Sequence, residues 1–328
     1  MCLPCVVVAV SGENSSSGTS HLLGGIFMIA AQESMTAKLC SFARAYHSML
    51  GKNKIFDDYL AYDIIGKDEY DKIGDLLKGQ AEAAHHKPMY GFESLQAFNE
   101  MDRYFSPIAL SRVAFAERAL ERFAGRQRAC QYVICGAGMD TFAFRNSDEA
   151  VQVFELDHPD TQAYKLRRIH ELRWKIPQNV HYGAIDFEKE DLGRTLLHSG
   201  YSPHVPTFFS LLGVSYYLTG KAFRDFVGSV SALSAAGSQF VLDFPDDSTF
   251  EDASSGVGRL AELTEQLGEP MGHGYSLEEM REILSAEGFV IRTHETPDDI
   301  QRHFFAGRTD HQQAAEHIHF LLAEKQGH

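Results

Sequence analysis

Apolar positions fall at helical spacing through the first third of the chain and in short continuous runs after it. In "MTAKLCSFARAYHSML" (35–50) they recur three and four residues apart, which predicts an amphipathic helix. "DDYLAYDIIG" predicts a second, short helix closed by Gly66, and a long helix is predicted over about Ser111–Phe123, ended by Gly125. A polar stretch through "KGQAEAAHHKPMYG" separates the two. Residues 35–128 therefore read as a helical cap. Beyond it the runs "YVICG", "VQVFELD", "VHYGAID", "PTFFSLLGV" and "SQFVLDF" are apolar without alternation, as strands covered on both faces must be, and the segments between them are long enough for crossover helices. "FVIRTHE" and "HIHFLLAEK" then follow with only a loop between them, which predicts an antiparallel pair. The expected fold class is α/β: a doubly wound, Rossmann-like sheet of seven strands with the last one antiparallel, over residues 129–328, with an insertion at about 245–275. Cap and core together, 35–328, are expected to form a single domain.

Residues 1–34 lack this patterning. "MCLPCVVVAV" is apolar but no Lys or Arg precedes it, and the Ser/Gly-rich segment after it is not a cleavage site, so a signal peptide is unsupported. These residues are expected to be a disordered extension, with Met28 and Met35 as alternative starts. No run reaches the length of a membrane span.

Composition narrows the partners. A formal net charge of −15 over 328 residues excludes nucleic acid and an anionic membrane surface, both of which require a basic footprint. A small-molecule substrate or a protein remains, and the oligomeric state, monomer or homodimer, is open. Five cysteines, two of them (Cys130 and Cys135) flanking a strand predicted to be buried, do not form a disulfide framework, which points to a reducing, cytoplasmic location. Cys2 and Cys5 make a CxxC with no second pair at zinc spacing, and His85 and His86 read as a solvated loop, so no metal is expected.

The chemistry concentrates where the first strand ends. "QYVICGAGMDTFAFR" runs the strand into Gly136-Ala137-Gly138, the place where doubly wound sheets hold ligands, and glycines there let the backbone approach a ligand closely. A dinucleotide fingerprint needs a third glycine at 141, but Thr141 stands there with Asp140 before it, and a phosphate would sit badly beside that carboxylate. "VFELDHP" puts Glu155 and Asp157 at the end of strand two, where a carboxylate can take both hydroxyls of a ribose. "GAIDF" puts Asp186 at the end of strand three, where it can accept from an adenine amine while Phe187 offers its backbone N–H. The ligand so described is an adenosine without phosphates, and the cationic S-adenosyl-L-methionine suits the acidic set.

"VICGAGMDTFAFR" and "FELDHPDTQAYKLRR" resemble the first two motifs of the leucine carboxyl methyltransferase family, class I methyltransferases that include protein phosphatase methyltransferases and many small-molecule O-methyltransferases. "SMTAKLCSFARAYHS" resembles the family's N-terminal helix, "SRVAFAERAL" its arginine-bearing helix, and "LGEPMGHGYSLEEMREILSAEGF" its late loop and helix, so the resemblance spans roughly Thr36 to the C-terminus. It implies S-adenosyl-L-methionine as cofactor and S-adenosyl-L-homocysteine as product. It also implies that Gly136 and Gly138 pass the methionine part, Asp157 binds the ribose, Asp186 the adenine, and Arg112, helped by Arg44, the cofactor carboxylate. The protein methyltransferases of the family carry Glu-Gly-Val after strand four, whereas this chain has Leu212 before Gly213 and Val214, which points toward the small-molecule branch.

Candidate cofactor-binding residues are thus Arg44, Arg112, Gly136, Ala137, Gly138, Asp140, Thr141, Glu155, Asp157, Asp186, Phe187 and Leu212. Tyr46, His47, Tyr216, Tyr217 and Tyr275, on the cap and near the insertion, are candidates for the substrate wall. No catalytic base is forced, although His47, His158, His204 and His273 could each approach the site; alignment and exclusion of water can supply most of a methyl transfer. The expected function is an O-methyltransferase acting on a carboxylate or hydroxyl of a small metabolite. The alternatives are a protein C-terminal carboxyl methyltransferase and a non-catalytic adenosylmethionine-binding protein.

Overall fold

A computed structural model describes residues 34–49, 53–84, 92–187, 189–250, 255–266 and 268–327. The chain divides into residues 1–31 and 32–328. The extension expected over 1–34, apart from Ser34, and the Cys2/Cys5 and His85/His86 pairs lie outside the described residues.

Seven strands form one sheet: β1 (Cys130–Cys135), β2 (Val151–Asp157), β3 (Val180–Ala184), β4 (Thr207–Leu211), β5 (Gln239–Pro245), β6 (Phe289–Glu295) and β7 (Ile318–Lys325). Their spatial order is β3-β2-β1-β4-β5-β7-β6. The first five are parallel, and β7 runs antiparallel to both β5 and β6. The order reverses beside β1, so the loops after β1 and β4 open the crevice in which such sheets hold ligands. Every residue of β1, β4 and β5 is buried, which is why these strands read as mostly apolar runs without alternation.

Helices cover both faces. Tyr132, Ile134 and Phe208 face one side and pack with Leu110, Ala114, Leu120 and Phe123 of α4 (Phe92–Ala124). Val133, Phe154, Phe209 and Phe240 face the other, with residues of α7 (Leu192–His198), α8 (Gly220–Leu233) and α10 (Leu277–Ala286). The cap consists of α1 (Met35–Met49), α2 (Ala61–Ile65), α3 (Lys67–Ala84) and α4. Among the described residues no helix is long and apolar enough to cross a membrane.

Three elements differ from the sequence reading. Helix α4 begins well before Ser111 and continues through Pro107, whose carbonyl accepts the Ser111 hydroxyl. Helix α3 takes in the start of the supposed polar stretch; its buried stripe includes Ile73 and Leu77, too narrow to dominate its composition. Between β6 and β7 lies not only a loop but α11 (Pro297–Ile300), closed by a Thr296/Asp299 capping box and continued by a wider turn over Gln301–Phe305. The insertion after β5 contributes α9 (Gly256–Gln266), and α5 (Phe142–Arg145) and α6 (Pro159–Glu171) complete the set.

Candidate active site

Beyond β1 the chain turns through Gly136 and Gly138 with φ of +79° and +50°, a backbone region that side chains rarely adopt. The turn is confined from two sides. A Cβ on Gly136 would lie 2.5 Å from Val214 Cγ2, and one on Gly138 would lie 3.0 Å from Ala37 Cβ of α1. Helix α1 therefore lies directly over the turn, and it presents Ala37, Cys40 and Arg44, spaced along one face, to the cavity beneath.

Asp157, at the carboxyl end of β2, is tied to the same turn. Its Oδ2 accepts the Gly138 N–H at 2.5 Å and its Oδ1 accepts the His158 N–H at 2.7 Å. Burial raises its carboxyl above the usual carboxylate range, against the pull of those two N–H groups. Asp186, just past β3, pairs with Lys189 at 2.6 Å, and Asp140 accepts the Phe142 N–H at 2.6 Å. These side chains, with Leu212, Gly213 and Val214 after β4, line a cavity of about 360 Å³.

Two arginines reach the cavity, each anchored. Arg44 Nε donates to Asp58 at 2.9 Å and its Nη2 to the Met139 carbonyl at 2.8 Å. Arg112 contacts Asp243 at 3.3 Å and the Cys40 Sγ at 3.2 Å. Asp243, fully buried in β5, also accepts the Gly213 N–H at 2.6 Å and the Tyr216 hydroxyl at 2.7 Å, so one carboxylate holds the arginine and the loop after β4 together.

The N-terminus of α1 is held from across the cavity. The Glu269 carboxylate accepts the Met35 N–H at 2.7 Å, the Thr36 N–H at 3.2 Å and the Ser34 hydroxyl at 3.1 Å, and is also in contact with the Thr36 hydroxyl. Tyr217 donates to Thr36 Oγ1 at 3.3 Å. A carboxylate here satisfies otherwise unpaired donors and opposes the positive end of the helix dipole.

Of the residues singled out from the sequence, Arg44, Arg112, Gly136, Ala137, Gly138, Asp140, Asp157, Asp186, Phe187, Leu212 and Tyr217 line the cavity. Six do not. Thr141 is buried behind the turn, its hydroxyl on Asp58 and accepting from Arg145. Glu155 lies two residues inside β2, covered by α6 and paired with Lys165. Tyr46 is on the far side of α1 from Ala37, Cys40 and Arg44, stacked near Phe42 with ring centroids 6.5 Å apart. His47, one turn past Arg44, is buried and accepts the Ile55 N–H at 2.8 Å. Tyr216 turns inward to Asp243 while its neighbour Tyr217 faces the cavity, and the buried Tyr275 donates to the Leu218 carbonyl at 3.0 Å. Of the four histidines considered, only His158 lines the cavity.

The sequence reading missed Asp243 and two acids of the cavity wall, Glu269 and Glu117, the latter paired with Arg145. Only Asp243 carried a signal, a charged residue inside an otherwise apolar strand.

His47 gives a pH test of this packing. Burial, reinforced by Arg308, pushes its imidazole down to about 4, well below the value in an unfolded chain. The unfolded state then binds the proton first, so stability is complete above about 6.5 and is lost as pH falls toward 4. His47→Gln, which keeps an acceptor for Ile55, should shrink the stability difference between pH 7 and pH 4 by about 1–3 kcal/mol in urea titrations. Identical pH profiles would mean that the fold does not lower the His47 pKa below its unfolded value.

A family model described as leucine carboxyl methyltransferase matches residues 37–230. YktD of Bacillus subtilis (strain 168), whose name assigns it to the S-adenosyl-L-methionine-dependent methyltransferases, is 34% identical over 308 residues, covering 90% of this chain and 98% of that protein. A similarly named protein of Mycobacterium avium (strain 104) is 27% identical over 230 residues, 68% of this chain and 70% of its own. A solved structure of a DUF574-family protein from Streptomyces avermitilis shares 18% identity, with 75% of this chain and 95% of that one covered and a TM-score of 0.47.

Proposed function

Because the chain belongs to the leucine carboxyl methyltransferase family of S-adenosylmethionine-dependent enzymes, we propose that it methylates an oxygen, carboxylate or hydroxyl, of a small molecule. The observation that carries the reading is the Asp157 carboxylate, fixed by two backbone N–H groups beside a glycine turn with no room for a side chain. Each of its oxygens keeps a lone pair for a ribose hydroxyl. Asp186 and the Phe187 backbone would hold the adenine edge, and Arg112 and Arg44 would meet the cofactor carboxylate. Asp140 and Asp157 suit a cation and oppose a pyrophosphate, which favours a sulfonium nucleoside over a dinucleotide.

When bound, the cofactor supplies a sulfonium methyl group: the acceptor oxygen forms the new C–O bond as the C–S bond breaks with its electron pair going to sulfur. The chain's own part is to orient and to exclude water. Helix α1, clamped over the turn by Glu269, covers one side of the cavity, and the fixed glycine turn would hold the ligand in one place. No side chain need accept a proton if the acceptor is a carboxylate, which is ionised at neutral pH.

Calorimetry tests the reading. The purified protein should bind S-adenosylhomocysteine at micromolar concentration, and NAD at least a hundredfold more weakly. Comparable affinities would sink it.

A further inference from the structure

We propose that the methyl acceptor is an uncharged hydroxyl and not a carboxylate; this rests on the O-methyl reading above and narrows it. The charge around the cavity carries the argument. Five carboxylates line it: Glu117, Asp140, Asp157, Asp186 and Glu269. Glu117 is paired with Arg145 and Asp186 with Lys189. Asp140, Asp157 and Glu269 receive N–H and O–H groups and have no cation in hydrogen-bond contact among the described residues. Against these three charges the cofactor brings a sulfonium, an ammonium and a carboxylate, a net charge of plus one.

The two guanidiniums do not change the balance for an anionic acceptor. Arg44 is matched by the buried Asp58, and Arg112 by the buried Asp243. Both are also the groups that meet the cofactor's own carboxylate under the proposed function. A second carboxylate would enter a cavity already negative, with desolvation added to repulsion. The rest of the lining includes the apolar Val113, Ala116, Leu212 and Val214, which add no cation to receive a second anion.

What the wall does offer fits a hydroxyl. Tyr217 faces the cavity with its phenol kept protonated by burial, and its hydroxyl lies 3.3 Å from that of Thr36, so two uncharged hydroxyls stand beside the Glu269 carboxylate. An acceptor hydroxyl can exchange hydrogen bonds with them at little desolvation cost. In the transfer its oxygen gains the methyl carbon, the C–S bond breaks toward sulfur, and the hydroxyl proton leaves to water.

The experiment uses the purified full chain, methyl-labelled S-adenosylmethionine and a small-molecule extract of the native source. Methyl esters release methanol in mild base; methyl ethers do not, and hydriodic acid cleaves them. At least ten times more product label should resist base and yield methyl iodide than is released as methanol. Predominant release as methanol would overturn the hydroxyl assignment while leaving O-methylation intact. Label that resists both reagents, or no transfer at all despite S-adenosylhomocysteine binding, would overturn the O-methyl reading and the inference with it.

Discussion

Asp243→Ala should lower stability by about 3–5 kcal/mol, because it strands a buried guanidinium. The carboxylate is fully buried and holds Arg112, the Gly213 N–H and the Tyr216 hydroxyl at once. Removing it leaves a charge and two donors without their acceptor. Scanning calorimetry should show a melting temperature roughly 5–15 °C lower. Asp243→Asn should fall between the two, since an amide oxygen can still accept from Gly213 while its N–H₂ opposes Arg112. A melting temperature within a degree of the parent for the alanine variant would mean that water replaces the carboxylate at no cost.

Asp157→Ala should weaken S-adenosylhomocysteine binding ten- to a hundredfold while the protein stays folded, the loss of about 1.5–3 kcal/mol that two charge-assisted hydrogen bonds represent. The variant also frees the Gly138 N–H, so the turn loses its tether together with the proposed ribose acceptor. A pH arm separates this from general damage. Because burial raises the Asp157 carboxyl, the parent should lose affinity on acidification at a higher pH than an exposed aspartate would cause, and the variant should lack that limb. An unchanged dissociation constant would remove Asp157 from the ribose site.

The sheet was legible because strands buried on both faces are predominantly apolar without alternation, as β1, β4 and β5 are despite Gln131, Ser210 and Asp243. Asp157, the last residue of β2, and Asp186, two residues past β3, were legible as cavity-lining residues because the carboxyl ends of parallel strands face the crevice. Their neighbours were not. Glu155 and Asp157 are two residues apart and equally acidic, and only the packing of Lys165 over β2 separates an inward pair from a cavity wall. Tyr216 and Tyr217 are adjacent and identical, yet a tight turn sends one to Asp243 and the other to Thr36. Glu269 meets Ser34 across 235 positions of sequence, a pairing with no local signature. The N-terminal half of α4 escaped because Pro107 interrupts a helix that its surroundings nevertheless keep continuous.

Helix α1 is fastened at three heights: at its first turn by Glu269, at Ala37 against the glycine turn, and at Arg44 through Asp58 and the Met139 carbonyl. A nucleoside resting on the turn would lie underneath all three. If its departure required those fastenings to open together, its residence time would be governed by a structural rearrangement and not by the strength of its own contacts. Amide hydrogens of α1 would then exchange with solvent at the rate at which product leaves, and one clock would time both events.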